Sequence, residues 1–290
     1  MDYRNDTISR INDRFHKRSK SHKKVATFIL DHYEQAAFMT AAKLGSTVGI
    51  SESTVVRFAY CLGYEGYPEL QKHLQEVVKS RLTSVQRMEV ASSDMSGGDI
   101  LERSLSSDID TIKATREHMS REAFNASVEA INRARHIYVL GVRSSASLAS
   151  FAAFYLNFVY DHVTLIEPTG TGESFEKAFR INSQDVCIAI SFPRYSKQTI
   201  NMLQFISDRG ATVISVTDSE NSPIARFATH LLIARSNMVS FVDSLVAPLS
   251  LINALIAAAA KGRSQEVYNN LSTLENIWDE YQIYQTHEDE

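Results

Sequence analysis

The sequence predicts two architectures in one chain: an all-α N-terminal region, then an α/β body built on a five-stranded parallel sheet with helices on both faces. Three observations carry this. Apolar residues recur at helical spacing up to about residue 80. A Ser/Gly-rich stretch, "TSVQRMEVASSDMSGGD" at 83–99, then has too little apolar content to pack. Beyond it, five short runs that are apolar on successive residues alternate with helix-patterned segments. A chain of 290 residues is long enough for two domains, at roughly 100–200 residues each. The expected divisions are 1–80, a linker at 81–99, the body at 100–262, and an acidic helix and tail at 263–290.

In the head, Val25, Phe28, Ile29 and Tyr33 form one helical stripe, and Leu70, Leu74, Val77 and Val78 another. Between them, "MTAAKLGSTVGISESTVVRFAYCLGY" (39–64) meets the requirements of a helix-turn-helix. Gly45 is small where a second helix must cross closely, and Gly49 supplies the positive φ of the turn. Leu44, Val48, Ile50, Val55 and Phe58 fall at offsets that hold two helices together, and Ser51 is placed to cap the second. That helix would present Glu52, Ser53, Thr54 and Arg57 outward near its N-terminus, from where a recognition helix reaches base edges and phosphates. The cluster Lys17, Arg18, Lys20, Lys23 and Lys24 is read as preceding a helix and touching the DNA backbone. Alone, such a run is most often a solvated face; the neighbouring motif shifts the reading toward DNA.

In the body the candidate strands are "HIYVLG" (136–141), "HVTLIE" (162–167), "DVCIAIS" (185–191), "ATVISVT" (211–217) and "THLLIA" (229–234). Their lack of apolar–polar alternation is what parallel strands covered on both sides require. "LVAPLSLINALIAAAA" (245–260) reads as a buried helix, too short and alanine-rich to span a bilayer.

Composition removes several classes. The net charge of −4 argues against a chain that coats nucleic acid or membrane along its length. Residues 1–80 hold 12 Lys/Arg against 9 Asp/Glu, or +3, which leaves −7 for the rest: a basic head on an acidic body. Cys61 and Cys187 belong to no metal-ligand or CxxC spacing, as in a reduced cytoplasmic protein. The charged N-terminus has no apolar core and is no signal peptide.

"SESTVVRFAYCLGYEGYPELQKHL" resembles the helix-turn-helix of the RpiR-type transcriptional regulators, on Ser53, Thr54, Arg57 and Phe58 and then Leu62, Gly63, Tyr64, Gly66, Tyr67, Glu69 and Leu70. The resemblance implies a C-terminal sugar isomerase (SIS) domain, a parallel α/β sandwich that binds phosphorylated sugars at the carboxyl ends of its strands. After the first strand that domain often has Gly-x-Gly-x-Ser. Here "GVRSS" keeps Gly141 and Ser145, adds Ser144, and has Arg143 for the second glycine. After the third it often has Ser-x-Ser-Gly-x-Thr. Here "SFPRYS" keeps Ser191, has Ser196 for the threonine, Pro193 for the middle serine and Arg194 for the glycine. The two arginines either bind an anion in place of backbone N–H groups or pair with acidic neighbours in an altered pocket. Glu173, in "EPTGTGESFEKAF" with a helix capped near Ser174, is a further ligand candidate.

No catalytic residue, metal site or cofactor is implied. Related sugar isomerases need a general base, and Glu173, Glu176, His162 and His230 have no local motif tying them to partners. The expectation is a cytoplasmic regulator, a dimer or a tetramer, with operator DNA and a phosphorylated sugar or related anion as partners and no membrane. The alternative is a sugar-phosphate isomerase or amino-sugar-processing enzyme with a helical head.

Overall fold

The computed structural model describes residues 10–11, 19–81, 83–88, 99–167, 171–238 and 240–284. The chain divides into two units, Met1–Val90 and Ala91–Glu290.

The first unit is helical: α1 (Lys20–Asp31), α2 (Tyr33–Ala36), α3 (Ala41–Val48), α4 (Glu52–Leu62) and α5 (Tyr67–Arg81). Val25 and Ile29 of α1, Leu44 of α3, Val55 and Phe58 of α4, and Leu70, Leu74 and Val78 of α5 make its buried core. The crossing of α3 and α4 depends on Gly45, where an added Cβ would lie 2.9 Å from the Ile50 carbonyl oxygen. Gly49 closes α3 in the left-handed conformation at φ 70°, and Gly63 closes α4 at φ 95°. The "LGYEGYPEL" stretch turns out to be scaffold. Tyr64 and Leu70 are buried. The Tyr67 hydroxyl donates to the Met39 carbonyl at 2.7 Å, and burial pushes that phenol up to about 12. The Glu69 carboxylate accepts from the Glu65 N–H.

Residues 84–88 of the expected linker form a helical turn with Arg87 buried; residues 82 and 89–98 lie outside the described residues.

The second unit runs α6 (Ile100–His118), α7 (Arg121–Arg133), β1 (Ile137–Gly141), α8 (Ser145–Leu156), β2 (Val163–Ile166), α9 (Thr171–Ala178), β3 (Val186–Ile190), α10 (Lys197–Asp208), β4 (Thr212–Thr217), β5 (His230–Ile233), α11 (Val246–Lys261) and α12 (Ser264–Glu280). The five strands are parallel in the order β2-β1-β3-β4-β5. Successive strand residues face opposite cores, as a period of two dictates. Ile137, Val139, Ile188 and Ile214 pack with α7, α8 and α11, whereas Tyr138, Leu140, Cys187 and Val213 pack with α9 and α10. This is why the runs read as apolar throughout.

Strands are shorter than the runs because the terminal residues serve other ends. Asp185, just before β3, accepts from Arg135 Nε at 2.9 Å and Nη2 at 2.7 Å and from the Asn182 N–H. Helix α9 starts at Thr171 and not near Ser174, which instead lies buried within it with its hydroxyl on the Glu167 carbonyl at 3.0 Å. The expected helix at 245–260 is α11, and Leu251, Ile252, Leu255 and Ala259 set it firmly in the core.

Candidate anion cradle and DNA-reading helix

Because all strands are parallel, their carboxyl ends share one edge. β1 and β3 are neighbours at the centre, with Gly141 opposite Ile190. From β1 the chain enters α8 on one face of the sheet; from β3 it enters α10 on the other. Such a divergence is a topological switch point, where open α/β sheets leave a crevice for ligands. "GVRSS" and "SFPRYS" border it.

In the first loop, Gly141 lets α8 close on the strand: a Cβ there would lie 2.6 Å from the Ser145 carbonyl oxygen and 2.8 Å from Ala149 Cβ. Ser144 occupies the N-cap position of α8, yet no side chain caps the helix. The N–H groups of Ser145 and Ala146 bond instead to the Val142 and Arg143 carbonyls at 3.2 and 3.0 Å, and this end of α8 is the positive end of its dipole. In the second loop, Ser196 caps α10 and accepts from the Gln198 N–H at 3.2 Å. Ser145 and Ser191 are buried to 3% and 4% exposure. Among the described residues neither hydroxyl makes a hydrogen bond.

Arg143 and Arg194 are both exposed. Both take left-handed backbone conformations, at φ 56° and 65°, the region that favours glycine. Among the described residues Arg143 makes no ion pair, so the altered-pocket alternative lacks a carboxylate at that arginine.

Several residues around the loops carried no sequence signal. Tyr195 donates to Asp218 Oδ1 at 2.7 Å, tying the second loop to the end of β4. Thr217 donates to the same oxygen at 3.2 Å, and Arg235 Nη1 to the Asp218 carbonyl at 3.3 Å. Gln198 Nε2 reaches Ser174 Oγ at 3.4 Å, bridging α10 to α9. The Thr199 hydroxyl, in the first turn of α10, is fully buried and has no partner. Adjacent strand ends bring these residues together, and no spacing along the chain encodes that. Glu173 sits exposed on the first turn of α9, next to the Ser174 that makes the contact with α10.

His162 and His230 lie at the amino ends of β2 and β5, the edge opposite the loops. His162 stacks with His136 there at 5.7 Å between ring centroids. Among the described residues no cluster of His, Cys, Asp and Glu could hold a metal ion, and no helix is long and apolar enough to cross a membrane.

In the first unit, α4 buries Val55, Phe58, Ala59 and Leu62 and leaves Ser51, Glu52, Ser53 and Arg57 exposed, with Thr54 half-buried beside them. Ser51 stands at the N-cap but its hydroxyl does not cap. It pairs with Ser53 Oγ at 3.0 Å and Thr54 Oγ1 at 2.8 Å, and Arg57 Nη2 reaches Thr54 Oγ1 at 3.4 Å. The outward face is therefore a linked set of hydroxyls ending in a guanidinium. The lysines do not precede a helix, as the sequence suggested. Lys20, Lys23 and Lys24 belong to α1, whose cap is the Ser19 hydroxyl accepting from the His22 N–H. Lys17 and Arg18 lie outside the described residues. His22 meets Phe58 edge-on at 5.7 Å, so α1 packs directly on α4.

A helix-turn-helix unit joined to a ligand-crevice α/β sheet defines a DNA-binding regulator of the one-component class. The rpiR-family helix-turn-helix domain model matches residues 6–81 and the SIS domain model residues 130–258. The HexR regulator of Escherichia coli is 26% identical over 229 residues, covering 77% of this chain and 75% of its own length. The sugar isomerase domain of an RpiR transcription factor from Sphaerobacter thermophilus is 30% identical, with a TM-score of 0.56, covering 59% of this chain and 96% of that one. The NanR protein of Vibrio vulnificus, solved in complex with ManNAc-6P, superposes with a TM-score of 0.59 at 23% identity over 95% of this chain and 99% of that one. This chain belongs to the RpiR family of helix-turn-helix transcriptional regulators.

Proposed function

We propose that the body, taken as residues 100–262, senses a phosphorylated sugar or a related anion, and that this controls DNA binding by the head, residues 1–80. The observation that carries the reading is the pair of loops at the switch point. Ser145 and Ser191 offer unpartnered hydroxyls, α8 begins there with the positive end of its dipole, and Arg143 and Arg194 add charge beside Ser144 and Ser196. An anion at such a place gains helix-dipole and charge-assisted hydrogen bonds together. The ManNAc-6P held by NanR supports the phosphosugar class. Glu173 stands by to meet sugar hydroxyls.

On the DNA side, Ser51, Glu52, Ser53, Thr54 and Arg57 form the reading face of α4. Lys20, Lys23 and Lys24 crowd the first turns of α1, where cations oppose the helix dipole. Phosphate contact is the use that repays this placement. A cytoplasmic dimer would read a two-fold operator with half-sites about 34–36 Å apart or a multiple of that. Sensing needs only differential affinity for two states and no general base, which agrees with relatives named as regulators and with His162 and His230 lying at the far edge.

The test is a mobility shift of DNA from upstream of the chain's own operon, with and without a panel of sugar phosphates. Arg57→Ala should weaken retardation. Ser191→Ala should leave retardation intact and blunt the sugar-phosphate response. Absence of retardation under every condition would sink the regulator reading.

A further inference from the structure

Apart from the switch-point crevice, a cavity of about 180 Å³ opens between α6, α7 and α11, with apolar walls from Ile112, Met119, Phe124 and Leu251. An apolar cavity of about 150 Å³ stays dry and admits a benzene ring, so this one has room for a single six-membered ring and a short substituent. Phe124 and Met119 are both half-buried. A phenyl ring and a thioether each gain more from an aromatic guest than from an alkyl chain. Two arginines complete the lining: Arg116 in the last turn of α6 and Arg121 at the start of α7. Both are exposed. Among the described residues neither guanidinium makes an ion pair or a hydrogen bond, and no carboxylate lines the cavity. Arg121 is the first residue of α7, whose Ser120 hydroxyl already accepts from the Ala123 N–H at 3.1 Å. A cation there opposes the helix dipole, and a bound anion would offset that cost.

We propose that this cavity is a second ligand site, for a small aromatic monocarboxylate. The ring enters between Phe124, Met119 and Leu251, and the carboxylate stays at the mouth with Arg116 and Arg121. A guanidinium takes a carboxylate by two parallel charge-assisted hydrogen bonds, which fixes the acid's orientation. A sugar phosphate does not suit the cavity, because its hydroxyls would be buried against apolar walls without partners. The cavity shares no lining residue with the loops of Arg143 and Arg194, so the site stands whether or not their crevice holds a sugar phosphate. The two places are nevertheless joined. Thr115 lines the cavity, and its hydroxyl accepts from the Arg235 N–H at 2.8 Å. Arg235 Nη1 reaches the Asp218 carbonyl, and Asp218 holds Tyr195 of the second loop. A bound acid thus lies against the network that anchors the loop of Arg194.

The experiment is calorimetric titration of the full chain with phenylacetate, set against 2-phenylethanol, which lacks the charge, and acetate, which lacks the ring. Phenylacetate should saturate at one molecule per chain. Each control should bind at least ~10-fold more weakly, through loss of a charge-assisted hydrogen bond or of the buried ring. Arg116→Gln with Arg121→Gln should weaken phenylacetate at least ~10-fold and leave 2-phenylethanol unchanged. Both arginines are exposed, so circular dichroism and the unfolding midpoint should not move. Ala254→Trp, at an exposed position of α11 that lines the cavity, should fill it and abolish binding. Failure of phenylacetate to saturate in the millimolar range, equal binding of 2-phenylethanol, or full phenylacetate affinity in either variant overturns the inference. That includes the case in which a second copy of the chain closes the cavity. A sugar phosphate that fails to bind wild type while phenylacetate saturates would instead sink the sugar-phosphate reading alone.

Discussion

Arg143 and Arg194 leave the two central, directly paired strands in the same backbone state, at φ 56° and 65°. A side chain held there costs about 1–2 kcal/mol that glycine does not incur. Two residues of one type, in one strained conformation, at the ends of neighbouring strands argue for a shared use of the guanidinium groups rather than accident.

Replacement of Arg143 separates strain from chemistry. Arg143→Gly relieves the left-handed strain, whereas Arg143→Ala removes the same charge and keeps it. The glycine variant is expected to be more stable than the alanine variant by about 1 kcal/mol, read as the difference in urea midpoints. Both should lose sugar-phosphate affinity to a similar degree, measured by calorimetry. Equal stability of the two variants would show that the backbone is not strained there.

Gly45 makes the corresponding test in the head. In a helix interior alanine is favoured over glycine by about 1 kcal/mol, but its Cβ would stand 2.9 Å from the Ile50 carbonyl and 3.3 Å from the Glu52 nitrogen. Both are main-chain atoms and cannot swing aside, so overpacking of about 1–3 kcal/mol should win. Gly45→Ala is expected to lower the unfolding midpoint of the head and weaken DNA retardation. Sugar-phosphate affinity should stay at the wild-type value.

What the sequence conveyed follows from how local each signal is. The helix-turn-helix is a contiguous spacing, so Gly45, Gly49 and the burial of Val55 and Phe58 could be read directly. Parallel strands announce themselves as fully apolar runs because both faces are covered. The positions of Arg143 and Arg194 were legible only by resemblance, since no pattern within either loop encodes a left-handed arginine. Asp218 and Arg235 were not legible. They reach the second loop by the pairing of β3, β4 and β5, a relation between residues more than twenty positions apart. The Ser51 hydroxyl likewise departed from its expected capping bond because Ser53 and Thr54 present closer hydroxyl partners on the same turn.

The two cysteines should differ sharply in reactivity. Cys61 is exposed on α4. Cys187 is fully buried in β3, and burial pushes its thiol up to about 12, so the nucleophilic thiolate is scarce as well as shielded. A chromogenic disulfide reagent at neutral pH should titrate one thiol in the native protein and two in denaturant. Two fast-reacting thiols in the native state would mean that the central sheet opens. Blocking Cys61 should leave sugar-phosphate binding unaltered, since it lies on the head.

Tyr195 offers the most selective handle on the cradle, because its hydroxyl acts on the loop without facing an anion as a cation does. It donates to Asp218 Oδ1 at 2.7 Å, between the neighbours Arg194 and Ser196. A hydrogen bond to a carboxylate contributes about 1.5–3 kcal/mol. Tyr195→Phe deletes that bond while keeping the ring's bulk. The loop should lose its anchor to β4, and sugar-phosphate affinity should fall about tenfold, which corresponds to ~1.4 kcal/mol. DNA affinity without sugar phosphate should not change, because the head is untouched. Arg194→Ala in the Tyr195→Phe background completes a double-mutant cycle. If Tyr195 works by positioning Arg194, the second substitution should cost less there than in wild type. Additive losses would mean that Tyr195 and Arg194 act on the anion independently, and the anchor to Asp218 would then serve the fold alone.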